Sequence, residues 1–184
     1  MDDGIQLNTT VFTPDAPIPT PGWSAIVYHH GLGGSKAVRP AEALAKHGYV
    51  TLTYTVRGQG RGRNGAPSEG VSTAWGPREV KDLKAMIAWF KSNHPIHPDR
   101  VGITGRSQGG IHSWMAVAHD LGLAAAVPQN FSAGSFATIN RSIHRNIVSI
   151  LQADYVDPTL AAKNRHRILG YSYDGLEKDF SKDR

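Results

Sequence analysis

The chain has 184 residues, room for one domain with a hydrophobic core and too few for two comfortable ones. Hydrophobic residues make up 40% and charged residues 19%, an ordinary globular balance, and no apolar run approaches the roughly 20 residues of a membrane-spanning helix. The absence of cysteine excludes disulfides, thiolate metal ligands and cysteine nucleophiles together, and the net charge of +5 favours acidic partners only where it clusters.

The opening "MDDGIQLNTTVF" is acidic and polar where a secretory leader would be basic and then apolar. The compartment stays open on these residues, with the cytoplasm favoured. "WSAIVYHH" (23–30) reads as a strand rich in β-formers and closed by Gly31. "KAVRPAEALAKHG" follows with helical spacing at Val38, Ala41, Leu44 and Ala45, and Gly48 is the expected stop. "YVTLTYTV" (49–56) is a second strand. The positive charge then clusters in "VRGQGRGRNG", with Arg57, Arg61 and Arg63 close together. Nucleic-acid segments of this kind carry stacking aromatics and longer repeats, so a glycine-rich loop after a strand is the expectation and no nucleic-acid partner is expected.

Pro77 opens a helix that places Val80, Leu83, Ile87 and Phe90 on one face. "HPDRVGITG" is turn chemistry followed by a short buried strand, "QGGIHSWMAVAHDLG" is a helix ending at Gly122, and "LAAAVPQNF" is a further strand with Pro128 near its end. Strand and helix alternate with short links, the pattern of parallel βαβ units. From about Phe136 the alternation breaks. Ile143, Ile147, Ile150 and Leu151 recur at helical intervals, and Asp157-Pro158 opens another helical stretch. The expectation is an α/β core over residues 1–135 and a helical cap or insertion beginning at 136–184.

"GRSQG" supplies the chemistry. Gly105-Arg106-Ser107-Gln108-Gly109 fits G-x-S-x-G, and a buried strand before it with a helix directly after it is the setting of a nucleophile elbow. So tight a turn strains the serine backbone and pushes its hydroxyl out over the sheet edge. It also requires Gly105 and Gly109, because a β-carbon at either would collide across the junction. An acyl-transfer site further needs N–H donors aimed at the oxygen that becomes negative. One donor is expected from Gln108, and the other from Gly31 or Leu32 in "HHGLGG", with His30 beside them. As a nucleotide loop the same stretch fails, because Lys36 stands where the third glycine of GxGxxG belongs. HExxH is absent as well, so neither cofactor nor metal is expected.

On these residues the chain resembles the α/β-hydrolases, and within them the X-prolyl dipeptidyl-peptidase and cocaine-esterase-like group. "DGIQLNTTVFTP", "HHGLGGSK", "TVRGQGRG" and "WGPREVKDLKAMIAWF" leading through "HPDRVGITGRSQGG" carry the likeness across most of residues 2–134. The resemblance implies a mostly parallel sheet flanked by helices, incomplete at its C-terminal side, and a serine hydrolase acting on esters or X-prolyl peptides. Relatives often have an aspartate before the Arg-Gly of the second loop. Val56 stands there, and no role is carried onto it.

Ser107 needs a base, normally a histidine oriented by a carboxylate, and in this fold the order is serine, acid, histidine. The place after the next strand reads "PQNFSAG" and holds no carboxylate. His112 lies on the elbow helix, whose side chains point away from the hydroxyl, so a satisfied or solvent-facing role is expected for it. His119 lies farther along that helix, and His94 and His97 belong to the opposite end of the next strand. His144 and His166, with Asp154, Asp157 or Asp174, come in the right order but in the expected cap. The favoured reading is the N-terminal part of a larger serine hydrolase whose triad acid and base follow later. The alternative is a catalytically inactive α/β-hydrolase-like binding module.

Overall fold

The computed structural model describes residues 1–61, 65–73 and 76–130. The expected cap at 136–184, its boundary with the core, and the histidines and aspartates within it lie outside these residues, as does Arg63. Strands β1 (Thr9–Phe12), β2 (Trp23–His29), β3 (Val50–Tyr54), β4 (Ile96–Arg106) and β5 (Ala125–Gln129) form one five-stranded sheet in the order β1-β3-β2-β4-β5. Helices α1 (Val38–Lys46), α2 (Pro77–Asn93) and α3 (Gln108–Ala118) are the crossovers. β3, β2, β4 and β5 run parallel. β1, which periodicity had not marked as a strand, pairs antiparallel with β3 from Thr9–Tyr54 to Phe12–Thr51.

β3 is buried at every position, Thr51 and Thr53 included, because neighbours flank it and both its faces are covered, although its residues alternate apolar and polar. β2 and β4 alternate in burial instead. Val27, Leu52 and Ile103 stand side by side in register and pack with Leu83, Met86, Ile87 and Phe90 of α2 and Ala116 of α3 in one apolar core. Each large side chain buried there contributes roughly 2 kcal/mol. On the opposite face α1 buries Ala41 and Ala45.

Several boundaries move for local reasons. β3 stops at Tyr54, because Thr55 and Val56 turn away and Gln59 N–H closes the turn onto the Val56 carbonyl (3.1 Å). α3 ends at Ala118, where His119 and Asp120 N–H close on the helix carbonyls and Asp120 enters the left-handed region. β4 begins at Ile96, opposite Trp23, before a register shift that puts Val101 opposite Ala25. The inward face of α2 is also wider than its apolar residues indicated. Glu79, Asp82 and Met86 are buried with Leu83, Ile87 and Phe90, while Val80 is half-buried.

Candidate active site

β4 delivers the chain to Ser107 and α3 leaves from it. Ser107 has φ 56° and ψ −115°, a left-handed setting that costs a non-glycine residue of order 1–3 kcal/mol and persists only where its surroundings over-determine it. Here they do. Its N–H donates to the Gln129 carbonyl at the end of β5 (3.0 Å), and its own carbonyl accepts the first helical bond from Ile111 (3.0 Å). Arg106 and Ser107 are exposed between buried Gly105 and buried Gln108.

The two flanking glycines are required by contact with one atom. A β-carbon at Gly105 would lie 2.7 Å from the His29 carbonyl oxygen, and one at Gly109 would lie 2.5 Å from it. The end of β2, the end of β4 and the first turn of α3 thus meet backbone to backbone, which is the collision the pentapeptide predicts. Gln108 is the first residue of α3, so its N–H lies at the positive end of the helix dipole.

The loop after β2 reaches the same place. A β-carbon at Gly31 would lie 3.7 Å from Ser107 Cβ and 3.5 Å from the Arg106 carbonyl. Gly34 N–H turns back onto the Gly31 carbonyl (3.0 Å), and Gly33 N–H donates to Gln59 Oε1 (2.8 Å). The Gly33 and Gly34 N–H groups are thus both occupied, and Gly31 is the loop residue that lies against Ser107.

Among the described residues, no histidine near Ser107 stands free to act on it. His30 Nε2 accepts from Val56 N–H (2.9 Å), so the neutral ring carries its proton on Nδ1, which donates to the Gly31 carbonyl (2.6 Å). Both nitrogens serve to shape the loop, and burial lowers the ring's pKa. His29 is the last residue of β2, and its ring is buried. His29 Nδ1 lies 3.0 Å from His112 Nδ1, and the Tyr54 ring stands edge-on at 4.6 Å. Burial first, then the neighbouring His112 and His30 rings, hold His29 well below the usual histidine range. His112 is therefore a buried, hydrogen-bonded residue. His119 is exposed at the far end of α3, and His94 caps the end of α2 at the other end of the sheet.

Arg57, the first residue of the arginine cluster, is committed in the same way. Arg57 is 1% exposed. Its guanidinium binds Asp82 with two bonds of 2.6 Å and Asp3 with one of 2.7 Å, which leaves it unavailable to a phosphate. Sequence reasoning missed this pair and the buried Glu79. The signal was present, since Glu79 and Asp82 sit on the same helical stripe as Leu83 and Phe90. Acidic residues on a buried stripe require a partner. Among the described residues no group of histidines and carboxylates is arranged to hold a metal ion. A groove of about 670 Å³ between α1 and the β4–β5 face, lined by Ile26, Tyr28, Leu44, Thr104 and Val127, includes neither Ser107 nor the loop beside it.

The model of the X-Pro dipeptidyl-peptidase (S15) family matches residues 3–149. The quorum-quenching protein AidA of Acinetobacter baumannii is 31% identical over 180 residues, covering 90% of this chain and 57% of that protein. An uncharacterized 31.7 kDa protein from the traX-finO intergenic region of Escherichia coli is 29% identical, covering 70% of this chain and 43% of its own length. The chain thus spans about half the length of the curated relatives it matches. Among solved structures, 2,6-dihydroxy-pseudo-oxynicotine hydrolase superposes with a TM-score of 0.62 at 22% identity, covering 84% of this chain and 42% of that one. The α/β hydrolase GrgF from Penicillium sp. sh18 gives a TM-score of 0.54 at 20% identity, covering 80% of this chain and 52% of the other. Those two similarities concern the fold. The match over residues 3–149 places the chain in the X-Pro dipeptidyl-peptidase (S15) family, and its fold is that of an α/β-hydrolase.

Proposed function

We propose that this protein is a serine hydrolase that cleaves an ester or an X-prolyl peptide bond through an acyl-enzyme on Ser107. The observation that carries the proposal is the placement of an exposed serine in a strained left-handed conformation at a strand–helix junction, with Gly31 against it. A backbone strained in this way in a hydrogen-bonded setting favours a functional over a purely structural turn.

In this mechanism Ser107 Oγ attacks the substrate carbonyl carbon, and the carbonyl electron pair moves onto oxygen. The N–H groups of Gln108 and of Gly31 or Leu32 hold that oxyanion, a role for which each donor is worth about 10²–10³ in rate. The serine proton passes to a histidine base and from it to the leaving alcohol or amine. Water, activated by the same base, then attacks the acyl carbon, releases the acid and restores the hydroxyl. The base and its carboxylate come from outside residues 1–130, because His29, His30 and His112 are committed to each other and to the loop. No cofactor enters this chemistry.

The test is a fluorophosphonate probe applied to the protein at its natural length, with the labelled residue located by peptide mass spectrometry. Labelling of Ser107, lost in Ser107→Ala, is the expected result. Labelling of a different serine overturns the assignment. An unlabelled but folded protein that still binds ester or peptide ligands would make it an inactive binding module instead.

A further inference from the structure

The loop that presents Gly31 and Leu32 is held from outside as well as by its own bonds to the Gly31 carbonyl. Three bonds tie it to the segment after β3: Val56 N–H to His30 Nε2 (2.9 Å), Gly33 N–H to Gln59 Oε1 (2.8 Å) and Lys36 N–H to Thr55 Oγ1 (2.9 Å). The middle one comes from a side chain that is fully buried. The backbone around that side chain is itself locked. Gly58 and Gly60 both lie in the left-handed region, and β-carbons there would stand 2.6 Å from Ser72 N and 2.7 Å from Thr55 Cγ2.

The facing of the Gln59 carboxamide follows from the chemistry of its partners. Gly33 N–H can only donate, so the amide oxygen points at the loop. The amide nitrogen is then the donor to Ser72 Oγ (2.8 Å), and the Ser72 hydroxyl gives its proton to Glu79 Oε1 (3.3 Å). Glu79 is fixed in turn by Thr73, whose N–H (2.5 Å) and Oγ1 hydroxyl (2.6 Å) both donate to it. Every donor in this chain runs one way, toward a carboxylate buried at the start of α2.

We propose that Gln59 is a positioning residue for the oxyanion loop, holding Gly33 so that the Gly31 and Leu32 donors stay against Ser107, with Ser72 and Glu79 fixing the direction of its carboxamide. The "RGQG" run is thus a clamp on the site rather than a charged surface. The inference rests on the acyl-transfer reading of Ser107. It adds that the geometry of the oxyanion hole is set from the neighbouring loop and not from the elbow alone.

The experiment uses the protein at its natural length and compares wild type with Gln59→Met and Ser72→Ala. It measures the inactivation of Ser107 by a fluorophosphonate, resolved into KI and kinact, together with hydrogen exchange at the Gly33 amide and the thermal midpoint. Met keeps the length of Gln but neither accepts from Gly33 nor donates to Ser72. Kinact in Gln59→Met should fall about 10- to 100-fold, the scale of a misplaced transition-state donor. KI should stay within about twofold, and Gly33 exchange should accelerate about tenfold, the loss of one net hydrogen bond. Ser72→Ala should shift kinact the same way by a smaller factor. A role confined to stability would change the midpoint while leaving kinact of the folded protein alone, and that result overturns the proposal. If Gln59→Met does not fold, an unchanged kinact in Ser72→Ala overturns it. If wild-type Ser107 is not labelled at all, the serine-hydrolase reading fails separately, and Gly33 exchange unchanged in the variants then overturns the clamp.

Discussion

Gly109→Ala tests the packing that makes the elbow. In an ordinary helix this substitution stabilises by about 1 kcal/mol, because glycine loses more backbone freedom on folding than alanine. At Gly109 the added β-carbon would stand 2.5 Å from the His29 carbonyl oxygen and 2.9 Å from the carbonyl carbon and Cβ of the same residue. The nearest of these is roughly 1 Å inside an ordinary contact between heavy atoms. The obstacle is backbone at the end of a central strand, and Gly105 already approaches the same oxygen from β4, so no flexible side chain can give way. Overpacking of this kind costs about 1–3 kcal/mol, with rigid surroundings at the upper end. Against the helix gain this leaves a net loss of about 2 kcal/mol. For a protein of this size that lowers the melting midpoint by about 4–8 °C. Gly48→Ala is the control, since Gly48 has φ +90° and open space around it, and costs only the left-handed backbone term of about 1 kcal/mol. Thermal unfolding followed by circular dichroism should therefore rank wild type above Gly48→Ala and Gly48→Ala above Gly109→Ala. A Gly109→Ala protein that melts at or above wild type would refute the convergence of β2, β4 and α3 on the His29 carbonyl.

Arg57→Met should destabilise by about 3–5 kcal/mol in urea titrations, because it strands a buried Asp82 without its partner. A loss below about 1 kcal/mol would mean that the ion pair carries no such penalty. Acid should also destabilise the protein through His29 and His30, whose folded pKa values lie below the usual 6.5. The unfolded chain takes up protons there that the folded chain refuses, so stability falls as pH drops below about 6.5, by up to about 1.4 kcal/mol per pH unit for each histidine. Glu79 acts in the opposite sense. Burial raises its pKa above 4.5, so its ionisation lowers stability as pH rises through the window above that value. A comparison with His29→Phe separates the two, since that variant should lose one histidine's share of the slope between pH 7 and 5.5, and an unchanged slope would remove His29 from the account.

Much of this fold is legible without coordinates. The alternation of apolar strands and helical stretches dictates parallel βαβ units, and the register of Val27, Leu52 and Ile103 bears this out. Pro77 does open α2, and Gly48 does close α1 in the left-handed region. β1 escaped notice because "TTVF" is too short for periodicity to register, and it became a strand only because β3 offered a free edge. The same limit explains the acidic residues of α2. Glu79 and Asp82 look like surface charges until Thr73 and Arg57, brought in from the preceding loop, satisfy them.

The sequence by itself determined the elbow, because strain, glycine spacing and the order of strand, serine and helix are local properties of neighbouring residues. It also named Gly31, Leu32 and Gln108 as the donors to examine, since a loop after a strand and a helix start are local features too. Only the tertiary structure decided the fate of the remaining polar groups. His30 shapes the loop, His29 and His112 pair in the interior, Arg57 is locked by two aspartates, and Gln59 accepts from Gly33. The physical reason is that a buried hydrogen bond or ion pair forms between groups far apart in the chain. Which donor meets which acceptor is settled only when β2, β3 and α2 have packed and excluded water from between them.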